Sequence, residues 1–294
     1  MSGPRGPTAS APAPHLTAPP PRRPLRGVDY TLHRARPWWH LEKWYSDAIT
    51  PDGDVLVVLL AVIRVAGMTV GRVSADLSRA NGSAVRGDAP ASSVAGGPGW
   101  LRFGPARIEG DILTWSTAGL SGEMAVRPRA PAAMMREPLF SAGRGSLAWT
   151  VEVPDADVTG ELRWPGGSLS ISGRGYRDRV WTDILPWRLP LRTLRWGRAV
   201  TASHATTWID AETAAERLRW RWDDGRESTD APPAVDRDRV LVAAAVSDIP
   251  GLRLGPLRGL FRVLSRDPHQ TRWAGPTSLG AEAGWAVHEE VRWR

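Results

Sequence analysis

Gly173-Arg-Gly-Tyr-Arg-Asp-Arg-Val-Trp181, continued by Thr182-Asp-Ile-Leu-Pro-Trp-Arg-Leu-Pro190 and Leu194-Arg-Trp-Gly-Arg198, is the stretch that decides the fold. Its β-branched and aromatic residues, set between glycines, predict an extended strand. Side chains alternate along a strand, so Tyr176, Asp178 and Val180 share one face and Arg177 and Arg179 the other. If the first face lines the inside of an apolar barrel, burial raises the pKa of Asp178 and keeps a proton on it near neutral pH. That is the condition for a general acid. The plainer role for Asp178 is to pair with neighbouring arginines and steady a strand end.

Outward from this stretch the same texture repeats. Val55 to Val65 is apolar and β-branched, and Met68 to Leu77 repeats the pattern after a glycine, which predicts a hairpin. Turn signals at Pro51-Asp-Gly-Asp54, Asn81-Gly82, Glu109-Gly-Asp111, Pro165-Gly-Gly167 and Asp223-Asp-Gly225 separate short alternating segments. These run Trp100 to Ile108, Ile112 to Thr117, Glu123 to Val126, Leu147 to Val153, Thr159 to Trp164 and Leu169 to Ser172. In the second half they continue as Trp196 to His204, Thr206 to Asp210, Arg217 to Trp222, Val240 to Val246 and Trp285 to Arg292. The expected class is all-β, a sandwich or barrel, with short helices only around Ala211 to Leu218 or Pro256 to Leu264. Proline-rich Ile184 to Pro190 is a poor central strand and a good boundary. Residues 1 to 27, rich in Pro, Ala and Arg, are expected to be a disordered tail without the apolar core of a signal peptide.

Composition narrows the function. The chain has 294 residues, a net charge of +7 and no cysteine, which excludes disulfides, thiolate metal sites and cysteine nucleophiles. Lys43 is the only lysine; the arginines are scattered among acids and accompany no recognition-helix, zinc-finger or RNA-binding pattern, so no nucleic-acid partner is expected. Surface arginines leave room for transient contact with anionic membranes. The longest apolar run, Val55 to Ile63, is far below the roughly 20 residues of a spanning helix, and a cytoplasmic protein, peripheral to a membrane at most, is expected. There is no phosphate loop and no Gly-x-Ser-x-Gly elbow. The histidines show no metal-ligand spacing, so no metal is expected. His288-Glu289-Glu290 reads as a solvated strand face. Sixteen tryptophans against three tyrosines and three phenylalanines make indole the dominant ring, suited to an apolar cavity and to cation–π stabilisation of a carbocation. Alternation in Glu42 to Asp47 puts Glu42, Trp44 and Ser46 on one face and Lys43, Tyr45 and Asp47 on the other.

Glu42-Lys-Trp-Tyr-Ser-Asp47 with Asp52-Gly53, Gly175-Tyr-Arg-Asp178 with Trp181, Trp196-Gly-Arg198, and the closing Gly284-Trp-Ala-Val-His-Glu-Glu290 together resemble the hydroxyneurosporene synthase family. That family, also called carotenoid 1,2-hydratases, belongs with AttH-like proteins and several natural-product Diels–Alderases. The resemblance implies two lipocalin-like antiparallel β-barrels in tandem, here over 28–190 and 191–294, no cofactor, and a hydrophobic polyene or isoprenoid-like substrate. It also implies an aspartate proton donor assisted by a tyrosine and an upstream tryptophan, which match Asp178, Tyr176 and Trp149. Glu42, Trp44, Tyr45, Trp181 and Trp196 are then candidate substrate-binding residues. Where many relatives read His-Asp-His-Asn, this chain has Arg177-Asp178-Arg179-Val180.

Three functions follow from these expectations. The first is a cofactor-free lyase or isomerase that hydrates or cyclises at a C=C bond by proton transfer from Asp178. The second is a pericyclase that folds a polyene for cycloaddition and gains its rate from orientation. The third is a carrier of an apolar ligand without chemistry.

Overall fold

The computed structural model describes residues 28–33, 38–132, 138–249, 259, 262–263 and 266–293. The expected tail therefore lies outside the described residues, as does most of the helix expected at Pro256 to Leu264.

The chain is all-β and builds two antiparallel sheets. The first holds β1 (Trp39–Ile49), β2 (Val55–Val65), β3 (Met68–Ser78), β4 (Ala84–Ala91), β5 (Val94–Gly97), β6 (Trp100–Phe103), β7 (Ala106–Glu109), β8 (Ile112–Trp115), β9 (Ser121–Pro128), β10 (Phe140–Ala142), β11 (Gly145–Trp164) and β12 (Gly167–Thr182). Their order is β4-β3-β2-β1-β12-β11-β9-β8-β7-β6-β5, with β10 attached to β11. The free edges nearly meet. Gly87 of β4 lies so close to Thr117 and Leu120, and Gly104 in the β6–β7 turn so close to Ala91, that a Cβ at either would collide. The result is a nearly closed barrel.

After a single 3-10 turn at Pro186–Arg188 the chain enters the second sheet. It comprises β13 (Leu191–Thr201), β14 (Ala205–Thr213), β15 (Arg217–Asp223), β16 (Arg226–Ser228), β17 (Arg239–Ala245), β18 (His269–Leu279) and β19 (Glu282–Arg292), ordered β16-β15-β14-β13-β19-β18-β17. The helix expected at Ala211 to Leu218 is instead the β14–β15 hairpin, because Leu218, Trp220 and Trp222 follow a strand period and pack beside Ile209 and Ala211. The segments Leu147 to Val153 and Thr159 to Trp164 are one bent strand, β11, not two. It carries register shifts between Val151 and Val153 and between Val153 and Ala156.

Two cores result. The barrel interior is filled by Trp44, Leu60, Val73, Phe103, Met124 and Val158 among others. The second core lies outside the barrel, in the seam between the two sheets. There Tyr45, Leu59, Trp149, Val151 and Tyr176 from the first sheet meet Trp196, Val200, Ile209, Trp222 and Val287 from the second. Both faces of β1 and of the second half of β12 are thus buried. Gly175 makes this possible just before Tyr176: a Cβ there would sit 2.2 Å from Val158 Cγ2 and 2.9 Å from the Asp47 carbonyl.

The alternation expected at Tyr176 to Trp181 holds, but its faces are reversed relative to the barrel. Arg177 and Arg179 point inward, and Tyr176, Asp178 and Val180 point into the seam. The inward guanidinium groups are tolerated because partners are waiting for them. Arg177 donates to Ser46 Oγ at 3.2 Å and to Tyr30 Oη at 3.0 Å. Arg179 donates through Nε to Glu42 at 2.7 Å and also holds the carbonyls of Asp29 and Thr31. The segment 28–33 is thereby strapped across the barrel, with Tyr30 fully buried inside it.

Candidate active site in the seam between the sheets

The β1–β12 register places Tyr45 opposite Asp178 and Asp47 opposite Tyr176. Opposed residues in an antiparallel pair share a face, so two Tyr-x-Asp units, running in opposite directions, form one four-residue square. Tyr176 donates its hydroxyl to Asp178 Oδ2 at 2.9 Å, and Tyr45 donates to Asp47 Oδ2 at 3.0 Å. All four residues are buried.

The two carboxyl groups differ in their company. Asp47 is ion-paired at 2.7 Å with Arg198, which is also fully buried. Burial raises its pKa and the guanidinium works against that rise. Among the described residues Asp178 has no guanidinium partner. Burial pushes its pKa up to about 7, opposed by the Lys43 ammonium, the Tyr176 hydroxyl and the Trp149 indole, while Asp47 adds to the rise. Among the described residues neither Asp178 Oδ1 nor Trp149 Nε1 meets hydrogen-bond geometry, yet the indole N–H lies near enough to act as a donor that lowers the Asp178 pKa. Asp178 is therefore a carboxyl whose pKa burial raises toward neutral pH, with no cationic partner in contact among the described residues. Arg272 completes the surroundings. Burial disfavours its charge, but Glu289, which accepts from its Nε and Nη2 at 2.9 and 2.6 Å, holds its pKa above the usual value. Its guanidinium lies 5.3 Å from the Tyr45 ring centroid.

Aromatic rings close the square. Trp196 from the second sheet stacks on Tyr176 at 6.0 Å and meets Tyr45 edge-on at 4.9 Å and Trp149 at 6.1 Å. On the far side of the two indoles is an apolar cavity of about 150 Å³, bordered by Lys43, Trp149, Val180, Trp196, Gln270 and Glu289. A larger concavity of about 570 Å³ at the other end of the seam is bordered by Arg129, Arg174 and Trp285. Its charged groups are engaged, Arg174 and Arg129 both with Asp155, and it holds no group poised for chemistry.

Of the residues singled out in the sequence, Asp178, Tyr176, Trp149, Tyr45 and Trp196 converge in the seam. Glu42, Trp44 and Trp181 do not. They lie on the other face of the same strands. Glu42 pairs with Arg179, and although burial opposes it, His33, His40 and Arg179 hold its pKa well below the usual range. Trp44 packs edge-on against Phe103 beneath Arg179, and Trp181 lies 4.4 Å from the His33 ring. A substrate in the seam meets none of the three.

Sequence reasoning passed over Lys43, Asp47, Arg198, Arg272 and Glu289. Lys43 and Asp47 were legible, since alternation sets them on the face of Tyr45. Glu289 was not: the expected solvated face at His288-Glu289-Glu290 is buried, with His288 stacked 4.9 Å from Trp273 and Glu290 paired to Arg195 at 2.7 Å. Among the described residues no cluster of three or more His, Asp or Glu could hold a metal ion, and no helix is long and apolar enough to cross a membrane.

No protein-family model and no curated protein sequence matches this chain. Solved structures do. CghA aligns with TM-score 0.57 at 11% identity over 87% of this chain and 88% of its own. Kievitone hydratase from Nectria haematococca aligns with TM-score 0.56 at 11% identity over 92% and 98%. An AttH-like protein from Nitrosomonas europaea aligns with TM-score 0.51 at 14% identity over 90% and 98%. The resemblance carried by the short motifs is thus met at the level of architecture: this chain has the fold of the carotenoid hydratase-like lipocalin proteins.

Proposed function

We propose that this protein is a cofactor-independent enzyme that adds a proton to a C=C bond of a hydrophobic, polyene or isoprenoid-like substrate, leading to hydration or cyclisation. The observation that carries this reading is Asp178: a carboxyl whose pKa burial raises to about 7, set behind the Trp149 and Trp196 indoles that border an apolar cavity. In the reaction the Asp178 O–H bond breaks and the π electrons of the alkene take the proton, forming a C–H bond. The positive charge left on the other carbon faces the Trp149 ring, where cation–π attraction is strongest in a dry site. Water then attacks the cation, and its surplus proton returns to the Asp178 carboxylate, so the net change is addition of water. If an internal double bond attacks instead, its π electrons form the new C–C bond, the charge passes to its far carbon, and loss of a neighbouring C–H proton to the Asp178 carboxylate restores the acid and leaves a cyclised isomer. Tyr176 keeps the carboxyl oriented through its hydrogen bond.

Fold likeness to kievitone hydratase and to CghA supports an enzyme of this general kind. A second reading, a pericyclase, is favoured by the aromatic wall of Trp149, Trp196, Tyr45 and Tyr176, which could hold a folded polyene without proton transfer. One experiment separates them. The protein is incubated with an acyclic isoprenoid polyene in water enriched in oxygen-18, and product mass is read for the wild type and for Asp178→Asn. Proton-transfer chemistry predicts a labelled hydrate or a cyclised isomer and a loss on the order of 10²-fold or more in the variant. Turnover at the wild-type rate in Asp178→Asn would eliminate the acid mechanism and leave the pericyclase.

A further inference from the structure

Lys43 stands out on three counts. It is the only lysine in a chain that otherwise takes its permanent cations from arginine. It borders the apolar cavity, with its ammonium 5.7 Å from the centroid of the Trp149 ring. Among the described residues that ammonium donates no hydrogen bond and pairs with no carboxylate, although Glu289 borders the same cavity, because Glu289 is committed to Arg272. A half-buried cation facing an apolar space gains nothing from a pure hydrocarbon and is partly desolvated by one. It gains most from an oxyanion, through a charge-assisted hydrogen bond in a poorly solvated site. The slender stem of lysine, unlike a planar guanidinium, leaves the Trp149 face and the cavity open.

The size of the cavity bears on the same point. About 150 Å³ is below the roughly 300–1,000 Å³ of a site that encloses a drug-sized molecule, so only one end of a long substrate enters it. That end meets Lys43, and Lys43 is close enough to Asp178 for its charge to be felt there.

We infer that the substrate is not a plain hydrocarbon but an amphiphilic polyene bearing an acidic oxygen, of carboxylate type, at the end that enters the seam, and that Lys43 binds this oxygen. The reacting double bond then lies toward that polar end of the chain. This rests on the seam being the substrate site, as proposed above, but not on Asp178 being the acid.

The test uses the full-length protein and a fluorescent polyene, cis-parinaric acid, against its methyl ester at pH 8. Wild type should bind the acid at least about 10-fold more tightly than the ester, the scale of one hydrogen bond to a charged group. In Lys43→Met the acid should lose about that factor while ester affinity stays the same, which also shows that the fold and cavity are intact. Lys43→Arg should keep part of the preference, and Asp178→Asn all of it. Equal binding of acid and ester by wild type, a preference that survives Lys43→Met, or failure of both probes to bind would each overturn the inference. Loss of turnover in Asp178→Asn without any acid preference would leave the catalytic reading standing and remove only this one.

Discussion

Replacing Asp178 with Asn should stabilise the protein at pH 8 while disabling it. In the folded protein the Asp178 pKa is about 7 against 3.8 when free. That difference of about 3 pH units, at 1.36 kcal/mol per unit, means that ionising Asp178 costs the folded state about 4 kcal/mol more than it costs the unfolded chain. The sign follows from the proton count. Below about pH 4 the group is protonated in both states and there is no penalty. Between about pH 4 and 7 the folded state holds a proton that the unfolded chain has lost, so stability falls as pH rises. Above about 7 the whole penalty is present. Asparagine, nearly isosteric and able to accept from Tyr176, has no such dependence. The stability of the variant relative to wild type should climb from near zero at pH 4 to as much as about 4 kcal/mol at pH 8. At roughly 2 °C per kcal/mol for a chain of this size, that is as much as about 8 °C in Tm. Lys43, Asp47, Arg198, Arg272 and Glu289 are common to both proteins, and because the Asp178 charge also raises the pKa of Glu152, the comparison is made with Glu152→Gln in both. Urea denaturation of both proteins at half-unit steps from pH 4 to 8 measures it. A stability difference that is flat with pH, or a variant weaker than wild type at pH 8, would refute the buried, unpaired acid on which the mechanism depends.

Tyr176→Phe removes the hydroxyl that steadies the Asp178 carboxylate, so the acid should become weaker. The alkaline fall of the pH–rate profile should move to higher pH while the maximal rate drops about 10-fold through lost orientation. Arg198→Met leaves Asp47 buried without its counter-charge, and denaturation should show a loss of about 3–5 kcal/mol, most of it restored when Asp47→Asn is added. Glu152→Gln tests a second carboxyl that burial raises to about 7, here against the pull of Arg177 and Arg179. It should gain up to about 3 kcal/mol of stability at pH 8 relative to pH 4, in the same titration, with the rate of turnover unchanged.

Most of the fold was legible because strand period and turn chemistry are local. The Val55–Val65 and Met68–Ser78 hairpin, the strand ending in Tyr-Arg-Asp-Arg-Val-Trp and the closing strand stand close to where their patterns place them. β4 was not legible: Ala84–Ala91 carries Gly87, Asp88 and Pro90 and is largely exposed, so it shows no apolar face to read. Which face of β12 is inside was the harder question. Amphipathic reasoning sends arginines outward, and nothing near Arg177 or Arg179 in the sequence announces the partners that reverse this. Tyr30, Glu42 and Ser46 are more than 130 positions away. Likewise Arg198 meets Asp47 only because two sheets pack, and a pattern read along one strand has no term for a contact between sheets.

The reversal has a functional consequence. A cup-shaped barrel ordinarily offers its interior to a ligand. Here that interior is closed by the strap at 28–33 and by the network joining Arg177, Arg179, Glu42 and Tyr30, and it is packed solid around Trp44 and Phe103. The bulge after Val151 finishes the division. It shifts the register by one residue, so that Trp149 and Val151 serve the seam while Val153 serves the barrel core. The same strands thus present a stabilising polar lattice on one face and an acid, an amine and a set of indoles on the other. A carboxyl whose pKa burial raises this far weakens the fold once it ionises, a burden carried by a scaffold whose rigidity is secured independently of it. The barrel supplies that rigidity, and the second sheet supplies the dry cover that keeps the proton on Asp178.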